Sequence, residues 1–163
     1  MSSKLFIDQN ITRLGDFVDN HYDDNYDPAL APPFSIIEFS INGACNRRCH
    51  FCPRVDENKY PNIYNTLDYS VYENLISELE SIDYSGRISY SGFSEPLLTK
   101  NLDQYIQLTR NKLPKSNIGI VSNGDPLTGK KGKDKLEKLF IAGLSDIKIS
   151  LYDGPEQKPY FEK

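Results

Sequence analysis

Two hydrophobic periods alternate along this chain and mark out its elements. Phe34-Ser35-Ile36-Ile37-Glu38-Phe39-Ser40-Ile41 alternates and is rich in β-branched residues, which predicts a strand ended by Asn42-Gly43. Helical spacing takes over across residues 69–82, where Val71, Leu75, Leu79 and Ile82 form a stripe expected to face a sheet. Ser70-Val71-Tyr72-Glu73 reads as its capping box, hydroxyl and carboxylate each meeting a free backbone amide. Residues 87–91 predict a second strand that runs into Gly92-Phe93-Ser94-Glu95-Pro96. A second helix is expected over 101–112, with Leu102, Tyr105, Ile106 and Leu108 on its buried side and Pro114 breaking it. Residues 117–121 form a third strand closing on Ser122-Asn123-Gly124. A third helix follows over 135–142, with Leu136, Leu139 and Phe140 inward and Gly143 as its stop. The lysines from Lys130 to Lys138 read as its solvated start. Residues 146–151 are the fourth strand.

Strand, helix, strand, helix, strand, helix, strand predicts parallel βαβ units with right-handed crossovers. The first 33 residues carry no sustained period. They are expected to form an N-terminal arm or loop, ahead of a domain over 34–163. The Asp-, Asn- and Tyr-rich run over 16–27 lacks the spacing of an EF-hand loop and reads as solvated loop.

Composition narrows the class. A chain of 163 residues that is 38% hydrophobic can bury a core, and a net charge of −4 gives no electrostatic footprint for nucleic acid. Residues 1–10 lack an apolar leader core and no stretch reaches membrane-spanning length, so a cytoplasmic, reducing setting without membrane attachment is expected. There, clustered cysteines more often bind metal than pair as disulfides.

All three cysteines lie in Cys45-Asn46-Arg47-Arg48-Cys49-His50-Phe51-Cys52, directly after the first strand. Structural zinc normally takes four protein ligands and would have to recruit His50 or His21. An ordinary ferredoxin-type cluster also takes four cysteines. Three thiolates on one loop suit a [4Fe–4S] cluster with one iron left open. Arg47, Arg48 and Arg54 are either positive charges beside that site or solvated side chains.

The spacing C-x3-C-x2-C, with aromatic Phe51 before the last cysteine, resembles the signature of the radical S-adenosylmethionine enzymes. Two further matches stand in the family's order. Phe93-Ser94-Glu95-Pro96 is similar to its G-G-E-P segment, with both glycines replaced, and Ser122-Asn123-Gly124 to its strand-end tripeptide. The resemblance covers residues 34–153. It implies a partial (β/α) barrel, here of about four parallel strands with helices on the outer face. It also implies a [4Fe–4S] cluster on Cys45, Cys49 and Cys52, whose open iron is chelated by S-adenosylmethionine. Reductive cleavage of that cofactor to a 5′-deoxyadenosyl radical then starts hydrogen abstraction from substrate. Phe51, Ser94, Glu95, Ser122, Asn123 and Ser150 are the cofactor contacts it implies, with Glu95 near the methionine amino group and Ser150 and Asp153 near the ribose. The implied partners are a small-molecule or peptide substrate and an electron donor such as flavodoxin or ferredoxin. Because the family's core has six strands, a partner or a further C-terminal part is expected to complete it. A truncated or degenerate, non-catalytic iron–sulfur or zinc-binding protein is the rival reading.

Overall fold

The structure is a computed structural model that describes residues 34–154, Glu156 and Pro159. The arm expected over 1–33 lies outside the described residues. The chain divides into two compact units, residues 1–35 and 36–163, and the second carries the features below. In chain order its elements are β1 (Ile36–Phe39), β2 (Asn42–Gly43), β3 (Ile63–Thr66), α1 (Tyr69–Ser81), β4 (Arg87–Tyr90), α2 (Leu102–Lys112), β5 (Ile118–Ser122), α3 (Gly129–Ile141) and β6 (Asp146–Ile149). β1, β4, β5 and β6 form a parallel sheet in that order, with Ile36 opposite Arg87, Ile88 opposite Ile118 and Gly119 opposite Asp146. Strand order follows chain order, so right-handed crossovers put all three helices on one face.

Alternation gives the sheet two unlike faces. Ile37 and Phe39, Ile88 and Tyr90, Ile118 and Ile120, and Ile147 pack with Tyr72 and Ile76 of α1, Ile106 of α2 and Leu139 of α3 into one apolar core. The opposite face carries Glu38, Arg87, Ser89, Asp146 and Lys148. Parallel sheets covered by helices on both sides are apolar on both, so a polar second face marks the side where this sheet meets something other than a helix. At the amino-terminal ends of the strands Arg87 crosses to Asp146 through two hydrogen bonds of 2.7 Å and also donates to Asn117 Oδ1. Gly119 lies under that guanidinium, where a Cβ would fall 1.8 Å from Arg87 Nη2.

Four local expectations need correction. The stripe on α1 is turned: Val71, Leu75 and Ile82 are 47%, 39% and 50% exposed, while Tyr72 and Ile76 join the expected Leu79 against the core. Tyr72 tolerates burial because its hydroxyl meets Tyr90 Oη at 2.7 Å and Thr109 Oγ1 at 2.5 Å. Burial pushes that phenol up to about 12, so it remains a donor. The cap of α1 is Asp68, which accepts from Ser70 N at 2.8 Å and Val71 N at 3.3 Å, and Ser70 lies inside the helix. α3 starts six residues early, at Gly129, because Gly132 lets it press against the Leu127 backbone, and Phe140 is exposed. Asn42-Gly43 does more than end β1: it pairs antiparallel with β3, an element no sequence period announced. Among the described residues no helix is long and apolar enough to cross a membrane.

The Arg87–Asp146 pair predicts a pH signature. Burial raises the Asp146 pKa, but Arg87, Lys148 and Asn117 together hold it below the ordinary carboxylate value. A depressed pKa stabilises the fold above the unfolded-state pKa, and that contribution disappears as pH falls through the folded one. Asp146→Ala is therefore expected to cost about 1–2 kcal/mol at pH 7, less than a fully buried pair, because 35% of the Asp146 side chain is exposed. Urea unfolding should show wild type and variant converging in stability as pH is lowered through that range.

Candidate functional site

The cysteine loop leaves the carboxyl end of β1 and is fastened before its first cysteine. Asn42 donates to Glu95 O at 2.9 Å and to Thr99 Oγ1 at 2.8 Å, and Ala44 O accepts from Glu95 N at 2.9 Å. Asn62 grips Cys45 from both sides, accepting from its N–H at 2.9 Å and donating to its carbonyl at 3.2 Å. Arg54, buried just past the last cysteine, donates to Asn62 Oδ1, Gly43 O and Phe93 O, and its guanidinium lies 4.8 Å from the centre of the Tyr60 ring. Cys52 N donates to Cys49 O at 2.9 Å, which closes the turn between those two thiols.

Glu95 joins the ends of β4 and β5. The residue is 2% exposed. One carboxylate oxygen accepts from Ser122 Oγ at 2.7 Å and Leu97 N at 3.1 Å, the other from Asn123 N at 2.8 Å. Burial pushes its pKa above the ordinary value, and the donors on Asn123, Ser122 and Leu97 pull against that rise. Gly92, at φ +100°, makes the bend ahead of it, where a side chain would meet Ser40.

These anchors shape a cleft of about 220 Å³ whose walls carry Cys45, Cys49 and Cys52, facing Ser94, Glu95 and Ser122. The three thiols are half-buried and unpaired. Burial, with the two neighbouring cysteines, raises the Cys49 thiol against the pull of Arg47. Among the described residues no three His, Cys, Asp or Glu side chains close on a single point as ligands of one ion. Ser94 Oγ is buried in this wall without a hydrogen-bond partner, and a buried polar atom left alone costs about 1–3 kcal/mol unless something meets it. Three thiols and an unmet hydroxyl around one cavity fit a bound cluster with a polar cofactor beside it. At the rim Phe51 and Tyr152 are exposed, ring centres 4.9 Å apart.

Of the residues read from sequence, Phe51, Ser94, Glu95, Ser122, Asn123 and the three cysteines line this cleft. Ser150 does not; its N–H donates to Ser122 O at 2.8 Å and extends the β5–β6 ladder. The Glu95 carboxylate faces strand-end donors, and Ser122 donates to it, so both brace the wall. Asp153 accepts from Arg47 at 2.8 Å. Arg47 also grips Asp125 with two hydrogen bonds of 2.5 and 2.7 Å, tying the cysteine loop to the loops after β5 and β6. Arg48 pairs with Glu57 in solvent. Of the three arginines left open by the sequence, Arg47 and Arg54 are anchors and Arg48 is a surface residue. Sequence reasoning missed Asn62, Asp125 and Tyr152; the position of Tyr152 just past the fourth strand was the only signal for it.

Comparison with known proteins agrees with this geometry. The sequence pattern of the Radical SAM superfamily matches residues 39–161. The chain belongs to that superfamily. A curated radical SAM relative, the S-adenosyl-L-methionine-dependent 2-deoxy-scyllo-inosamine dehydrogenase of Niallia circulans, is 36% identical over 126 residues, 77% of this chain and 48% of that protein. The GTP 3′,8-cyclase of Aquifex aeolicus is 27% identical over 135 residues, 78% of this chain and 38% of that protein. The crystal structure of BtrN in complex with AdoMet and 2-DOIA superposes with a TM-score of 0.69 at 31% identity, covering 80% of this chain and 51% of that one. The chain thus spans about half the length of the dehydrogenase and of BtrN, and 38% of the cyclase.

The hub role of Glu95 is checked by stability. Glu95→Gln sets an amide NH2 against one of three donors and should cost about 1–3 kcal/mol in urea unfolding. Ser122→Ala removes a single neutral donor and should cost less, about 1 kcal/mol. The reverse order would assign the hub elsewhere.

Proposed function

We propose that residues 34–163 are the core of a radical SAM enzyme that holds a [4Fe–4S] cluster on Cys45, Cys49 and Cys52 and binds S-adenosylmethionine in the adjoining cleft. The observation that carries this reading is that all three cysteines line one cavity with Ser94, Glu95 and Asn123. Cluster and cofactor, when bound, supply one-electron cleavage of S-adenosylmethionine and the hydrogen abstraction that follows. The chain's own residues bind, orient and exclude water. Ser94 Oγ offers the cofactor an unused hydroxyl. Phe51 and Tyr152 offer exposed ring surface for its base. Glu95 and Ser122 act by holding the strand ends in register, not by touching the cofactor.

Greater identity to the dehydrogenase than to the cyclase, 36% against 27%, favours oxidation of a small molecule over a cyclisation. A second hollow of about 250 Å³, walled by Ser40, Lys59, Tyr60, Ile63, Phe93 and Ser94, adjoins the cleft and gives such a substrate room. An electron donor of the flavodoxin or ferredoxin type would reduce the cluster. A partner or a further segment would pair with the outer edge of β6 and complete the barrel.

Anaerobic reconstitution tests the reading. Wild type should take up iron and sulfide and, with dithionite, convert S-adenosylmethionine to methionine and 5′-deoxyadenosine. Each of Cys45→Ala, Cys49→Ala and Cys52→Ala should lose the cluster. Glu95→Ala should keep it while weakening S-adenosylmethionine binding about tenfold, equivalent to about 1.4 kcal/mol. Stoichiometric iron and sulfide in a triple cysteine variant would overturn the assignment. Cofactor binding without any 5′-deoxyadenosine would favour a non-catalytic iron–sulfur protein.

A further inference from the structure

We infer that Asn123 is a positioning residue for the sulfur of Cys45, not a contact to S-adenosylmethionine, and that its amide tunes the reduction potential of the group held by the three cysteines. The inference rests on the cluster assignment above and goes beyond it.

The side chain of Asn123 has no N–H left to offer a cofactor. The residue is 5% exposed, and each of its side-chain polar atoms is engaged. Its Oδ1 accepts from Asp125 N at 3.0 Å. Its Nδ2 donates to Asn46 Oδ1 at 2.8 Å and lies 3.9 Å from Cys45 Sγ. An amide nitrogen carries two N–H groups, and these two partners account for both. The backbone N–H is already given to Glu95. The side chain is therefore fixed in place before any ligand arrives, with one donor aimed at a sulfur.

That sulfur receives a second N–H, from the Arg47 backbone at 3.4 Å. Among the described residues no N–H is aimed at the sulfur of Cys49 or Cys52, so the donors favour one thiolate of three. An N–H directed at a ligating sulfur stabilises the added negative charge of the reduced state and raises the potential. Arg47 is the more obvious electrostatic candidate, being a full charge inside the same loop. Its guanidinium, however, is matched by the carboxylates of Asp125 and Asp153, which leaves the neutral amide of Asn123 as the directed influence on Cys45.

The test compares reconstituted wild type with Asn123→Asp, Asn123→Ala and Asn46→Ala in redox titrations followed by electron paramagnetic resonance. Asn123→Asp keeps the acceptor for Asp125 N and removes the donor. Both Asn123 variants should carry wild-type iron and titrate at lower potential, Asn123→Asp the lower because it adds charge. The ratio of reduced to oxidised cluster at a fixed applied potential should fall about tenfold, which is 59 mV for a one-electron couple. Asn46→Ala frees the amide without deleting it and should shift the potential less, in the same direction. Unchanged potentials in iron-replete Asn123 variants would overturn the inference. So would iron loss confined to the Asn123 variants with Asn46→Ala unshifted, since that pattern is purely structural. A wild-type chain that takes up no cluster would instead overturn the proposed function, and this is seen before any variant is compared.

Discussion

A single buried carboxylate fixes the geometry on which the rest of the site depends. Glu95 stands where β4 ends, and its two oxygens hold the side chain of Ser122 and the backbone of Asn123 at the end of β5. Removing a carboxylate from water costs several kcal/mol. Three hydrogen bonds to a charged acceptor, at about 1.5–3 kcal/mol each, offset part of that cost, and burial still holds the carboxyl above its ordinary pKa. That offset lasts only while all three donors keep their places, so the carboxylate ties the two strand ends to one another. Through its backbone the same residue holds Ala44 and Asn42, and so the root of the cysteine loop. Sheet and loop meet at one residue.

The second constraint is the division of labour between the sheet's faces. Helices cover the apolar face and supply the stabilising burial. The polar face, crossed by the Arg87–Asp146 bridge, runs up to strand ends that carry the cleft. Arg54 and Arg47 then act as guy-lines from the loop: one is sunk among Asn62, Gly43 and Phe93, the other reaches across to Asp125 and Asp153. Guanidinium groups suit this because their fixed fork of donors reaches several acceptors at once. The cysteine loop has little regular structure of its own and takes its shape from these side chains.

How much of this was legible in the sequence differs by kind. The four parallel strands and three helices followed from hydrophobic period and turn residues, because those signals are local. The helical stripe at Val71 and Leu75 misled because Tyr72 buries through partners on β4 and α2, which no window around it contains. Asp68 displaced Ser70 as the cap because two good capping residues stand close together and only the real path of the chain chooses between them. The β2–β3 pair escaped notice because two residues carry no period. At the site, the cysteines and the positions of Glu95, Ser122 and Asn123 were readable as motifs. Their partners within the protein were not, because the bonds from Ser122 and Asn123 to Glu95 join residues 27 and 28 positions apart. Arg47 and Arg54 looked alike as cations near a loop, and only their distant acceptors show what they do.

The central claim is that three cysteines hold a cluster with an iron left open to S-adenosylmethionine. Electron paramagnetic resonance on the reconstituted, reduced chain, with and without S-adenosylmethionine, tests it most directly. The account predicts a reduced [4Fe–4S] signal that shifts when the cofactor is added. A cluster signal indifferent to the cofactor, or zinc bound in place of any cluster, would contradict it.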